Sequence, residues 1–273
     1  VRDIWPLTLT EEGGYSKRNI FVKTLGYIEK QGYLNSDAVV GTMPNLREHI
    51  KEIIGHNNLP PVHCIPMGYD DEQIPKQEVS RSINNLNLKN KFVIGYVGSL
   101  GVSNCMDTFF ETAKKFVLHK DICFLVVGDG DLKEFFKKKY GRLNNIIFLE
   151  KVIKNEVGSI LNNCDILYLS VFSSKVWNYG QSLNKLVDYM MSGKPIIAAY
   201  GGYQSMVNEA NCGSFIKPEC VKTLYGEIFR YTQMASTTRN TIGLNGKKWI
   251  LQNRNYSTLS KKYMEILQKI MEE

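Results

Sequence analysis

With 273 residues, 43% of them hydrophobic, the chain can bury one large core or two smaller ones, and the expectation is a soluble α/β protein of one or two domains. No apolar stretch is long enough to span a membrane. The net charge of +7 comes from 34 Lys and Arg against 27 acids, scattered along the chain except in KEFFKKKYGR at 133–142, so no nucleic-acid partner is expected.

In chain order, VRDIWPLTL at the start resembles neither a signal nor a transit peptide. It reads as the end of a buried strand entering a loop, and the expectation is that residues upstream are missing. Strand-length apolar runs follow at 38–42, 61–66, 91–98, 123–130, 145–150, 165–171 and 195–201. Helical periods lie between them at 45–55, 106–119, 131–141, 155–164 and 184–193. Doubly apolar strands alternating with helices predict an α/β fold with doubly wound parallel sheets. The stretch 70–90 is polar and aperiodic and reads as a linker, and 256–273 reads as a closing amphipathic helix. The expected units are 1–75, a linker at 76–90, 91–255, and the helix 256–273.

The cluster at 133–142 would suit phosphates or an anionic membrane surface, or it is a solvated helix face. Six cysteines without C-x-x-C read as reduced thiols of a cytosolic protein. Four histidines lack H-x-x-x-H spacing or a paired acid, so no metal site is expected.

Ligands of doubly wound sheets bind at the carboxyl ends of the strands. After 91–98 comes GSLGVSNCMD, in which Gly98 and Gly101 permit close backbone approach and a helix starting near Cys105 offers free N–H groups. This arrangement suits a phosphate, although G-x-G-x-x-G and GK[ST] are both absent. The GDGD turn, Gly128 to Asp131 with Gly130 at its centre, is a second such loop or a purely structural turn. In GQSLNKLVDYMMSGKPII the helix begins polar: Ser182, Asn184 and Lys185 could meet an anion, and Asp188, one turn beyond Asn184, could accept bonds from sugar hydroxyls. The alternative is a helix capped by Ser182 with chance polar neighbours.

FVIGYVGSLG, FLVVGDGDLKEFF, NIIFLEKVIKNEVGSILNNCDILYLS and NYGQSLNKLVDYMMSGKPIIAAYGG together resemble the carboxyl-terminal domain of retaining glycosyltransferases of family four, which have the GT-B fold. DAVVGTMPN and CIPMGYDDE stand where that family has its strand-serine and Pro-Asn-Gly-x-Asp signatures, which makes 1–70 resemble the end of its amino-terminal domain. The family's two glutamates, eight positions apart, correspond to Gly180 and Asp188. Its diphosphate-holding Arg and Lys correspond to Ser99 and Asn104. The pattern S-x-N-K-x-x-D-Y-M resembles a subgroup containing N-acetyl-fucosamine transferases of O-antigen and capsule assembly, in which Lys185 would replace the missing cations. Arg2 stands near the place of a donor-side His.

The resemblance implies metal-independent transfer, with retention, from a nucleotide sugar, expected to be UDP-linked, to a hydroxyl on a lipid-linked glycan. It needs no cofactor beyond the donor. Lys151 and Val152, in the loop 150–154, would border the base. The implied site comprises Asp188, Lys185 and Arg2 with the donor-binding residues above, in a cytoplasmic protein that can touch the inner membrane face. A sugar-nucleotide epimerase and a non-catalytic binding module remain alternatives. The chain from Val1 onward is expected to bind nucleotide without transferring sugar.

Overall fold

The computed structural model describes residues 1–70, 83 and 86–272; of the linker expected at 76–90, only Ile83 and 86–90 fall within the described residues. Six strands, β3 (Phe92–Val97), β4 (Ile122–Val127), β5 (Ile146–Leu149), β6 (Ile166–Ser170), β7 (Ile196–Ala199) and β8 (Gly213–Ile216), form one parallel sheet. Its order is β5-β4-β3-β6-β7-β8. Branched and aromatic residues pack both faces, as parallel strands covered on both sides require. One face carries helices α4 (Asp107–Lys115), α5 (Lys133–Tyr140) and α8 (Val221–Gln233), with Phe109, Phe110, Phe136 and Leu224 in their shared core. The other carries α6 (Lys154–Asn162), α7 (Asn184–Met191) and α9 (Ser236–Asn253), packed through Ile160, Leu186, Met190 and Ile250. The strand order reverses between β3 and β6, opening a crevice at their carboxyl ends.

The first seventy residues hold α1 (Leu7–Glu11), α2 (Ile20–Leu34), α3 (Leu46–Ile54) and a parallel pair, β1 (Val39–Gly41) with β2 (Val62–Cys64). Ile4, Val39, Leu46 and Ile50 form their core, and Val176 and Tyr179 enter it from the larger unit. The Tyr179 hydroxyl reaches Glu52 at 2.8 Å, and its carbonyl accepts from the Asn45 N–H at 2.9 Å. The closing helix α10 (Tyr256–Glu272) follows a return crossing in which the Tyr69 N–H donates to the Arg254 carbonyl at 2.9 Å.

VRDIWPLTL is not a strand running into a loop. Ile4 is buried, but Leu7–Glu11 is helical, and Val1 reaches β1 only through the bond from its amino group to the Val40 carbonyl and the one its own carbonyl accepts from the Thr42 N–H. Four helices (α1, α2, α8, α9) and strand β8 go beyond the sequence expectation. The reason is visible in α9, whose inward positions are Gly243, Gly246 and Ile250. Two of its three fully buried positions are glycines, and Ile242 and Trp249 pack only partly buried, so no strong apolar period marks the helix. All six cysteines are free, and burial pushes the Cys123, Cys164 and Cys212 thiols up to about 11, 12 and 12. No helix of the described residues is long and apolar enough to cross a membrane.

Candidate functional site

A cleft of about 370 Å³ opens at the crevice beside β3. Gly98 and Ser99 line it from the loop after β3, Gly128 and Asp129 from the loop after β4, Lys151 and Val152 from the loop after β5, and Lys185, Asp188 and Tyr189 from α7. The Tyr189 hydroxyl fixes α7 to the end of β3, accepting from the Val97 N–H at 2.8 Å and donating to the Val97 carbonyl at 3.2 Å. Gly128 adopts φ +150°, and a methyl group there would stand 1.9 Å from the Gly98 carbonyl oxygen. The two loops therefore meet backbone to backbone, and main chain forms this part of the cleft wall. Gly130 packs in the same way on the Leu100 backbone, which makes it a structural element of the turn. Gly101 accepts a bond from the Asn104 N–H at 3.2 Å and opens the short 3₁₀ turn Val102–Asn104.

Lys185 is the central charge. Its Nζ donates to Asn104 Oδ1 at 2.6 Å and to the Tyr96 hydroxyl at 3.1 Å, and lies 4.8 Å from the Tyr96 ring centroid. It also lies 3.0 Å from where a Cβ on Gly98 would be, so a larger residue at 98 would crowd the ammonium. Among the described residues no carboxylate is within ion-pair distance of it. Burial drives its pKa down to about 8. The Tyr96 hydroxyl is tied to the Ser99 carbonyl at 2.5 Å, and burial raises its pKa, so it stays neutral. A partly buried cation held only by neutral groups is incompletely compensated, and an anion entering the cleft would complete it. Asn104 acts here as the holder of Lys185.

Asp188 also faces this cleft, and both of its oxygens lie 2.5 Å from the Nζ of Lys154, the first residue of α6. Asn184, one turn earlier, does not share its cavity. Asn184 and Ser182 line a second cavity of about 240 Å³ with Arg2, Asp3, Glu12, Thr42 and Trp177, between the two units. The first turn of α7 thus separates two cavities, and the helical spacing that suggested one joint surface for Asn184 and Asp188 does not produce it. Ser182 is not the helix cap: Leu183 holds that place, and the Ser182 hydroxyl accepts from the Met67 N–H at 2.9 Å. In the second cavity, burial, and less strongly Asp3, push the Glu12 carboxyl up.

Gly180 has φ +99°, and a Cβ there would come within 2.5 Å of the Pro44 ring. The family carboxylate absent at this position could not be accommodated. Gly180→Glu is expected to destabilise the chain by about 3 kcal/mol, combining left-handed strain with overpacking, and thermal unfolding checks it.

Three of the five basic residues in the run at 133–142 meet acids from elsewhere in the chain. Lys133 is buried against Glu150, Lys137 reaches Glu150 at 3.0 Å, and Lys139 reaches Glu111 at 3.6 Å. These bonds anchor the start of the loop that carries Lys151 and Val152. Sequence reasoning did not single out Tyr96, Tyr189 or Asp129; the only signal was their place at a strand end, one residue past Asp188, or inside the GDGD turn.

The doubly wound sheet, with a cleft containing Lys185 at its switch point, defines a Rossmann-like protein of the GT-B type. The chain belongs to the family described as glycosyl transferases group 1, whose profile matches residues 91–233. It is 26% identical over 257 residues to an uncharacterized glycosyltransferase of Methanocaldococcus jannaschii, covering 91% of this chain and 62% of that relative's length. Many solved structures share the fold. Anabaena HepE in complex with UDP matches with a TM-score of 0.73 at 18% identity, over 90% of this chain and 68% of that one. WaaG, a glycosyltransferase involved in lipopolysaccharide biosynthesis, matches with a TM-score of 0.68 at 19% identity, over 95% and 71%.

Proposed function

We propose that this chain carries the donor site of a retaining glycosyltransferase that moves a sugar from a UDP-linked donor to a hydroxyl of a lipid-linked glycan in bacterial surface polysaccharide assembly. The observation that carries this reading is Lys185, a partly buried ammonium without an acidic partner among the described residues, in a cleft walled by two glycine loops. The donor diphosphate supplies the charge that Lys185 lacks, Asp188 accepts the ribose hydroxyls, and Lys151 and Val152 border the base. The sugar's bond to the diphosphate breaks while its anomeric carbon bonds to the acceptor oxygen, whose proton passes to the departing diphosphate. A preorganised cation at the departing diphosphate is worth about 3 kcal/mol in such a transition state. Arg2, Ser182 and Asn184, in the neighbouring cavity, face the sugar end of the donor and the acceptor.

The UDP complex of HepE and the lipopolysaccharide role of WaaG support this reading by fold likeness. The subgroup assignment to N-acetyl-fucosamine transfer rests on the S-x-N-K-x-x-D-Y-M pattern. Peripheral contact with the inner membrane face belongs to the same reading, because a lipid-linked acceptor is presented there. Calorimetry with UDP and a panel of UDP-sugars tests the donor site, and absence of binding by all of them overturns it.

The reaction is expected to proceed without a divalent metal. Among the described residues, no group of three or more His, Cys, Asp or Glu could hold one. On the resemblance to metal-independent transferases, turnover should persist in excess EDTA; loss in chelator with recovery in Mg²⁺ or Mn²⁺ would contradict this.

A further inference from the structure

We propose that Lys154 is a ligand-mimicking latch: in the empty cleft its ammonium occupies the Asp188 carboxylate, and the ribose hydroxyls of an entering nucleoside displace it. The inference rests on the donor-site reading above and names the residue that tunes its affinity.

Lys185 and Lys154 are held in opposite ways. Lys185 is partly buried and bonded to neutral groups, which leaves its ammonium without a counter-ion. Lys154 is largely exposed, with 63% of its side chain open to solvent, and both of its hydrogen bonds go to the two oxygens of Asp188, whose side chain is 28% exposed. Among the described residues, Lys154 is the only side chain bonded to that carboxylate. A bidentate cation on a carboxylate fills the same acceptor positions that the two O–H groups of a ribose diol would take. Exposed ion pairs are weak, because the long side chain loses freedom and water screens the charges. Lys154 can therefore be displaced at modest cost, swinging into solvent from the start of α6 while Asp188 stays fixed on α7.

The test compares the parent with Lys154→Met, which keeps an unbranched stem and removes the charge, and with Lys154→Arg, which keeps the pair. Calorimetry is run with uridine and with UDP at low and high salt. Removing the competitor is expected to tighten both ligands in Lys154→Met by about threefold, with Lys154→Arg close to the parent. Uridine is uncharged, so added salt should raise its affinity for the parent by screening the latch, and leave Lys154→Met unchanged. Unchanged or weaker uridine binding by Lys154→Met overturns the latch alone. So does weaker UDP binding with uridine unaffected, which would instead place Lys154 on the phosphates. No binding of either ligand to any of the three proteins overturns the latch and the donor-site reading together.

Discussion

Lys185→Ala is expected to weaken UDP binding by roughly 1.5–3 kcal/mol, the range for hydrogen bonds to a charged group. The substitution removes the central cation of the cleft and leaves Asn104 and Tyr96 facing a space they no longer fill. Uridine, which lacks phosphates, should bind both proteins about equally, and that contrast separates lost charge from a disturbed cleft. Unchanged UDP affinity by calorimetry would overturn the role given to Lys185. The same ammonium predicts opposite pH trends for binding and stability. Its pKa is about 8 in the folded empty protein against an ordinary 10.5. Between those values the unfolded chain holds a proton that the folded one has released, so stability of the empty protein rises with pH across that window. UDP affinity, which requires the charged form, falls once pH passes about 8. Titrating binding and thermal unfolding from pH 6.5 to 10 reads both trends.

Gly128→Ala is expected to cost about 3 kcal/mol of stability and most of the nucleotide affinity. The added methyl would stand 1.9 Å from the Gly98 carbonyl oxygen, at a φ of +150° that side chains rarely adopt. Relief requires the loops after β3 and β4 to part. That movement would carry Gly98 away from Lys185, whose Nζ lies over it, so stability and binding should fail together. Gly101→Ala is the control: a methyl there would meet only Ser99 Oγ at 3.6 Å, and stability should change by less than about 1 kcal/mol. A Gly128→Ala protein that melts and binds like the parent would show that the two loops do not support one another.

Several features were legible because they depend on local pattern. The strands β3, β4, β6 and β7 are apolar runs of strand length, since a parallel strand covered on both faces needs apolar residues at every position. The start of α7 at Asn184 and the change from polar to apolar along it were equally visible. Helix α9 was hidden, because two of its three fully buried positions are glycines, which carry no apolar signal. Strand β8 was hidden as well: it is a half-buried edge strand with no continuous apolar run.

By itself the amino-acid sequence determined the α/β class, the loops that meet at the strand ends and the choice of Lys185 and Asp188 as the charges of the site, because period and residue chemistry are local properties. Only the tertiary structure decided how those charges are employed. It set Lys185 on Asn104 and Tyr96, 81 and 89 residues away in sequence, and gave Asp188 to Lys154. It also sent Asn184 and Asp188, neighbours on one helix, into separate cavities. The physical reason is that charge pairing and burial depend on which distant loops the sheet order brings together, and helical spacing carries no record of the wall that rises between two positions.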